Sequence, residues 1–119
     1  MGMIMVNNTH GKDNVERASL AFLVGNTALN SGQEATVLLT IEGVWVATKG
    51  YAEGLVANGM NPLCDLINQF VQNRGKIWVC GACAKPRNIT QADLIDGAEI
   101  VGAATAVEAL VNGARALSW

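Results

Sequence analysis

The sequence predicts an α/β protein, a three-layer α/β/α sandwich around a mostly parallel sheet of about four to five strands. Short apolar, β-favouring runs alternate along the chain with stretches of helical spacing. Helical crossovers between successive strands give parallel pairing, with helices on both faces of the sheet. We expect the 119 residues to form one domain over 1–119, which is long enough to bury a core.

The strands are predicted from apolar runs bounded by polar turns or glycine. Each run is too short for a helix of ordinary length, and most are rich in β-branched or aromatic residues. In order, the predicted strands are 3–6, 35–40, 77–79 and 115–118, with a further apolar run at 98–101 framed by Gly97 and Gly102.

Capping signals predict the helices between these strands. Asp13, with Glu16 three residues later, predicts an N-cap and capping box for a helix that ends at Gly32. Asn61 is the expected cap of a second helix, with Pro62 at its first position and an end at Gly75. Shorter helices are predicted over 44–47, after Thr90 with Asp93, and over 105–112, whereas 51–59 is predicted to be a loop.

The composition limits the classes of partner. Half of the residues are hydrophobic and only 15% are charged, against a usual charged fraction of about 25%, so we expect a homo-oligomer to hide part of the apolar surface. The net charge of -2 and the lack of any run of Lys or Arg argue against nucleic acid and membranes as partners. No targeting segment is visible, and three cysteines do not suggest a disulfide scaffold, so a cytoplasmic location is expected.

The strand predicted at 77–79 leads directly into a cysteine. It delivers Cys80 to the carboxyl edge of the sheet, where open α/β folds bind their ligands. Cys83 follows three positions later, and Lys85 and Arg87 supply positive charge that favours a thiolate over a thiol. Cys80 is therefore predicted to be a reactive thiol.

Other interpretations of the two cysteines remain open. A zinc site normally needs four ligands, and the chain has one other cysteine, Cys64, and one histidine. A thioredoxin-like dithiol normally opens a helix near the start of the chain, whereas this pair comes late and Pro86 follows it. Two inert core cysteines are a further alternative.

The turns after the first two strands should lie at the same edge as Cys80. His10, the only histidine, either transfers a proton near Cys80 or only hydrogen-bonds within its turn. No cofactor is expected, because Gly11 is the only glycine of the first turn and a glycine-rich phosphate fingerprint is absent; no metal ligand set is predicted either. The candidate substrate-binding residues around the edge are Asn8, Thr9, Glu42, Trp45, Lys85 and Arg87.

The segment Cys80-x-x-x-Ala84-x-x-Arg87-x-Ile89 resembles the cysteine loop of the DsrE/DsrF-like sulfur-relay family. The resemblance extends over almost the whole chain, and it is strongest to the small single-chain members often labelled predicted peroxiredoxins. Its other parts are Thr9-His10-Gly11, Glu16-Arg17-Ala18, Thr40-x-Glu42-Gly43-Val44, Ile100-Val101-Gly102-Ala103-Ala104 and the Ser118-Trp119 ending.

The resemblance implies homotrimers or homohexamers, and a loop cysteine that carries sulfur as a persulfide between partner proteins. The matching position is Cys80. Asn88 stands where the family often has glycine, and Cys83 is an added thiol that some single-chain members share. The expected function is that of a cytoplasmic persulfide carrier or sulfurtransferase, with a Cys80/Cys83 redox protein and a non-catalytic small-ligand-binding module as alternatives. The sequence leaves open whether the protein is an enzyme.

Overall fold

The computed structural model describes residues 2–119 and shows a five-stranded sheet with helices on both faces. The strand order is β4-β3-β2-β1-β5, and every neighbouring pair is parallel. The predicted fold class is thus confirmed, with a sheet that is parallel throughout. The strands are β1 (Met3–Asn8), β2 (Glu34–Leu39), β3 (Lys76–Cys80), β4 (Ala98–Val101) and β5 (Arg115–Ser118).

Four α-helices and three short 3₁₀ segments connect the strands. The α-helices are α1 (Val15–Asn30), α2 (Leu63–Gln72), α3 (Gly81–Ala84) and α4 (Ala103–Val111). The 3₁₀ segments are Ile41–Ala47, Lys85–Arg87 and Gln91–Asp93. No helix in residues 2–119 combines the length and the apolar character needed to span a bilayer.

The main core lies between one face of the sheet and the helices α1 and α2. Alternate residues of the central strands point to this face and are buried there, including Val37, Ile77 and Val79. The rings of Phe22 and Phe70 meet edge to face between the two helices, with 5.6 Å between centroids. Because strand residues alternate, the intervening residues of β3 point to the opposite face.

The opposite face of the sheet is covered by α4, which connects the two edge strands β4 and β5. This helix has no buried residue. Its apolar side chains Val107, Leu110 and Val111, which gave the helical pattern in the sequence, are 57%, 44% and 78% exposed. The helix is confirmed, but these three side chains are largely exposed to solvent rather than buried against the sheet.

Local hydrogen bonds decide where the helices begin. The N-cap of α1 is Asn14, whose side-chain oxygen accepts from the backbone N–H of Arg17 at 3.1 Å, so the prediction of Asp13 was wrong by one residue. Asp13 is engaged instead by the turn that precedes the helix. Similarly, Pro62 rather than Asn61 is the residue before α2. Thr90 and Asp93, predicted to start a short helix, form a capping box at the start of the 3₁₀ segment Gln91–Asp93.

Candidate functional site

Cys80 is the last residue of the interior strand β3, at the carboxyl edge of the sheet. The parallel register pairs it with Val101 of β4. On the other side, the register of β2 and β3 runs through the pair Leu39 and Val79, so Thr40 is the next residue beside Cys80. Cys80 is partly exposed and forms no disulfide. Its place at the carboxyl edge of the sheet therefore agrees with the sequence-based expectation.

The second thiol lies on the helical turn that begins directly after the strand. Cys83 belongs to α3 and is also partly exposed and unbridged. Arg87 binds this turn: its Nη1 donates to the carbonyl oxygen of Cys83 at 3.1 Å. Lys85, the other predicted cation, is exposed to solvent.

Arg87 also bonds to the turn that follows β2. Its Nη2 and Nε lie 3.2 Å and 3.4 Å from the same carboxylate oxygen of Glu42. Two predicted substrate-binding residues thus bind each other, and they connect the loop after β3 to the 3₁₀ segment after β2. This ion pair is partly solvent-exposed, so its own contribution to stability is modest.

Asn88 ends the cysteine loop with a left-handed backbone. Its φ of 57° and ψ of 33° lie in the region where glycine is easily accommodated and asparagine is tolerated better than most other residues. Such a backbone is compatible with the expectation that relatives often have glycine at this position. The chain then returns to the core, where Ile89 is buried.

The turn after β1 is held by its own side chains. Asn8 is fully buried; its side-chain oxygen accepts from the N–H of His10 at 3.1 Å, and its Nδ2 donates to the carbonyl of His10 at 2.9 Å. The Nδ1 of His10 lies 2.7 Å from Asp13 Oδ2. The hydrogen bond to His10, together with the one from the Gly11 N–H, lowers the pKa of the Asp13 carboxyl. The predicted site residues Asn8 and His10 are thus both engaged within this turn.

Thr9 bonds to the end of the sheet rather than facing a cavity. Both its backbone N–H and its hydroxyl donate to the carbonyl oxygen of Trp119, at 3.0 Å and 3.1 Å. The N–H of Trp119 in turn donates to the carbonyl of Asn7 at 2.8 Å. These bonds extend the pairing of β1 with β5, so the contacts of Thr9 in the structure are those of a sheet residue.

The turns after β1 and β2 meet, as the strand topology predicts. The N–H of Thr40 donates to the carbonyl of Asn8 at 3.1 Å. Gly43 lies so close to this carbonyl that a Cβ at Gly43 would overlap its oxygen. With the Arg87 ion pair, these contacts bring the turns after β1, β2 and β3 together at one edge.

Tyr51 is an important residue at this edge that sequence analysis did not identify. Its ring stacks on Trp45 with 6.3 Å between centroids, and its hydroxyl accepts from the N–H of Lys12 at 2.7 Å. The Lys12 ammonium also lies 4.6 Å from the centre of the Tyr51 ring. The weak pattern of 51–59 predicted a loop, which is confirmed, but no sequence signal placed its tyrosine against Trp45.

The predicted binding residues and Cys80 do not line the same cavity. Trp45 and Arg87 line a polar cavity of about 360 Å³. Cys80 lines a different cavity, of about 230 Å³, to which none of the six predicted substrate-binding residues contributes. His10 lines neither of the two. The remaining residues of the polar cavity are Thr48, Lys49, Asn88, Ile89, Ala92 and Asp93.

The sequence-based predictions also did not include the side chains that surround Cys80. They come from β2, from β4 and from α4, which covers this face of the sheet. Strand alternation was the available signal: Ile77 and Val79 point to the main core, so Cys80 must point to the face under α4.

The third cysteine is separate from the other two. Cys64 lies on α2, and burial, with smaller contributions from Glu53 and Asp65, raises the pKa of its thiol. It lines a small cavity beside Ile67, not the one beside Cys80. Within residues 2–119, no three His, Cys, Asp or Glu side chains lie close enough together to hold a metal ion.

The fold and the site define a class: a small parallel α/β protein with a free cysteine at the end of an interior strand. The model of the DsrE/DsrF-like family matches residues 3–119. The chain belongs to this family, as its cysteine loop indicated.

Similar proteins occur in methane-producing archaea. The uncharacterized protein MJ0760 of Methanocaldococcus jannaschii is 31% identical over 102 residues, which are 86% of this chain but 37% of that protein. The chain thus spans little more than a third of that relative's length. The uncharacterized protein MK0008 of Methanopyrus kandleri is 32% identical over 71% of this chain and 67% of its own. The uncharacterized protein MJ0989 of M. jannaschii is 33% identical over 82% of this chain and 80% of its own.

Solved structures show the same fold at low identity. The ychN protein of E. coli superposes with a TM-score of 0.71 and 16% identity, covering 100% of this chain and 99% of that one. The protein MTH1491 of Methanobacterium thermoautotrophicum gives a TM-score of 0.68 at 11% identity, over 98% of this chain and 97% of the other.

Proposed function

We propose that this protein is a sulfur carrier in which Cys80 accepts sulfane sulfur as a persulfide and passes it to an acceptor thiol. The observation that carries the proposal is the position of Cys80, a free and partly exposed thiol at the carboxyl edge of β3. Membership of a family associated with sulfur relay supports it. The proposed setting is a reducing cytoplasm, where the thiol stays available.

The chemistry needs only the thiolate and a donor. The Cys80 thiolate attacks the outer sulfur of a donor persulfide, R–S–SH. A new S–S bond forms on Cys80, the S–S bond of the donor breaks, and R–S⁻ leaves and takes up a proton. Transfer to the acceptor repeats the step with the acceptor thiolate as nucleophile and Cys80 as leaving group. No electrons are gained or lost overall.

The neighbouring residues position the thiol. Arg87 is committed to Glu42 and to the carbonyl of Cys83, so we propose that it holds the cysteine loop in place. Lys85, which is exposed, is the cation free to contact a partner protein. His10 would have to leave Asp13, or use its other ring nitrogen, to transfer a proton at the site.

The position of Cys83 supports a second candidate function, thiol redox exchange. Cys83 lies on the helical turn that starts immediately after Cys80, and both thiols are unbridged. In that reaction the Cys83 thiolate attacks the inner sulfur of a Cys80 persulfide, forming a Cys80–Cys83 disulfide and releasing hydrosulfide. A carrier that must retain its sulfur would be emptied by this step.

We further propose that the protein works as a homotrimer or homohexamer. The exposed side chains of Leu110 and Val111 on α4 support this, because neighbouring exposed apolar residues on one helix are typical of a subunit interface. Sedimentation equilibrium of the purified protein tests this proposal directly.

Intact-protein mass spectrometry tests the carrier function. The reduced protein is incubated with a persulfide donor, and peptide mapping locates the added sulfur. Wild type should gain sulfur on Cys80. Cys80→Ser should gain none there, and Cys64→Ser, the matched control, should load like wild type. Cys83→Ser should load and keep its sulfur longer.

The other outcomes separate the alternatives. A Cys80–Cys83 disulfide without retained sulfur would favour redox exchange. Protein that stays unmodified with every donor would contradict the carrier function and favour the small-ligand-binding module. Full loading of Cys80→Ser would show that another thiol is the acceptor.

A further inference from the structure

The thiol of Cys80 faces an apolar cavity between the sheet and α4. Its volume is about 230 Å³, below the 300–1,000 Å³ of sites for drug-sized ligands. Beside Cys80, the cavity is lined by Leu38, Thr40, Val101, Gly102, Ala103, Ala106 and Val107.

The lining offers almost no polar group to a ligand. Apart from Cys80, none of these side chains is ionisable, and only Thr40 carries a hydroxyl. That hydroxyl already donates to the side-chain oxygen of Asn7 at 3.0 Å. A charged substituent would therefore lose its hydration here without gaining a partner, which is strongly unfavourable.

The other cavity, in contrast, is lined by charged side chains. Lys49, Arg87 and the carboxylate of Asp93 line the polar cavity beside Trp45, which Cys80 does not line. A donor with carboxylates would find cations in that cavity but no thiol. The thiol thus lies in a cavity without cations, apart from the charged groups that line the other cavity.

We infer that the small-molecule sulfur donor of Cys80 is an organic hydropersulfide with a small, uncharged, apolar substituent that binds in this cavity. The inference rests on the proposed carrier function and adds its substrate class. The Cys80 thiolate attacks the outer sulfur, the S–S bond of the donor breaks, and the apolar thiolate leaves, to be protonated by water. Burial of the substituent against Leu38, Val101 and Val107 supplies the binding energy.

The test compares two donors that transfer the same single sulfur atom. Benzyl hydropersulfide has an uncharged ring, whereas glutathione hydropersulfide carries two carboxylates and an ammonium group. Mass spectrometry at short times gives the initial rate of sulfur addition to Cys80 for each donor. Each rate is divided by the rate at which the same donor reacts with a free thiol in solution. At subsaturating donor concentrations, we expect the corrected rate for wild type to be at least about tenfold higher with the benzyl donor than with the glutathione donor.

A pair of matched variants tests whether the preference for the benzyl donor arises in the cavity beside Cys80. Val107→Lys introduces a cation at the cavity and should reduce the ratio of benzyl to glutathione rates about tenfold. Val56→Lys makes the same change at a residue of nearly equal exposure, 56% against 57%, which does not line the cavity, and should leave the ratio unchanged. Both donors react with the same thiolate, so the ratio is insensitive to its acidity. Ala106→Leu, which fills the cavity without adding charge, should slow only the benzyl donor.

The outcomes distinguish the two proposals. Equal corrected rates in wild type, or a ratio that Val107→Lys and Ala106→Leu leave unaltered, would overturn the inference while the carrier function stands. Absence of sulfur on Cys80 with both donors would overturn the carrier function and the inference with it. Circular dichroism and sedimentation of each variant verify that the compared proteins share one fold and one oligomeric state.

Discussion

The guanidinium of Arg87 lies 3.2 Å from the carboxylate of Glu42, and this contact joins the loop that carries Cys83 to the segment that follows β2. Both residues were expected at a substrate site. Their mutual bond shows how Arg87 holds the cysteine loop in position, since the same guanidinium also binds the carbonyl of Cys83.

Removing this ion pair should destabilise the protein slightly. Arg87→Gln and Glu42→Gln should each lower the free energy of unfolding by about 1 kcal/mol or less, because the pair is partly exposed. A double-mutant cycle from urea unfolding should give a coupling energy of about 0.2–1 kcal/mol. A coupling energy of zero would show that the two side chains do not interact in solution.

The left-handed backbone of Asn88 gives a second prediction. Asn88→Val should lower the free energy of unfolding by about 1–2 kcal/mol, because a β-branched side chain crowds the backbone at a φ of 57°. Asn88→Gly is the matched control and should remain within a few tenths of a kcal/mol of wild type. Thermal or urea unfolding measures both; equal destabilisation by Val and Gly would instead point to loss of an interaction of the asparagine side chain.

The low pKa of Asp13 predicts part of the acid sensitivity. Its hydrogen bonds with His10 and with the Gly11 N–H lower this pKa in the folded protein below the ordinary value, about 3.9, that it has when unfolded. The resulting stability is present above that value and is lost as the pH falls through the lower folded-state pKa. Asp13→Asn should therefore lose less unfolding free energy than wild type between about pH 5 and pH 2. Identical acid profiles of the two proteins would contradict the assignment.

Cys64 should be slow to react in the folded protein. Burial raises the pKa of its thiol, so at a given pH a smaller fraction is the nucleophilic thiolate. In a Cys80→Ser, Cys83→Ser background, the rate of Cys64 alkylation by iodoacetamide should reach half its maximum at a pH above the ordinary thiol value of about 8.5. The same protein in denaturant is the control and should show the ordinary midpoint. A folded-state midpoint at or below the denatured one would refute the prediction.

Features that depend on nearby residues were predictable from the sequence. The left-handed stop at Gly32 is confirmed by its φ of 84°, and Thr90 with Asp93 starts a short 3₁₀ helix. The alternation of strands and helices was enough to predict a parallel sheet with Cys80 at its carboxyl edge. Hydrophobic spacing and capping are local, and therefore visible within a few residues of sequence.

Competition between neighbouring groups was harder to predict. Asp13 and Asn14 are both good N-caps, and the choice between them depended on the hydrogen bonds of Asp13 with His10 and Gly11. Val107 and its apolar neighbours on α4 gave a clear helical pattern, but the pattern does not say whether they face the sheet of the same chain or the outside.

The sequence by itself determined the family, the order of strands and helices, and the cysteine at the sheet edge. Only the tertiary structure decided which distant side chains meet: Tyr51 stacks on Trp45, Arg87 binds Glu42, and Cys80 lies among apolar residues of β2, β4 and α4. These contacts join residues far apart in the chain. They depend on strand register and on the face to which each side chain points, and both are set by packing of the whole sheet rather than by local propensity.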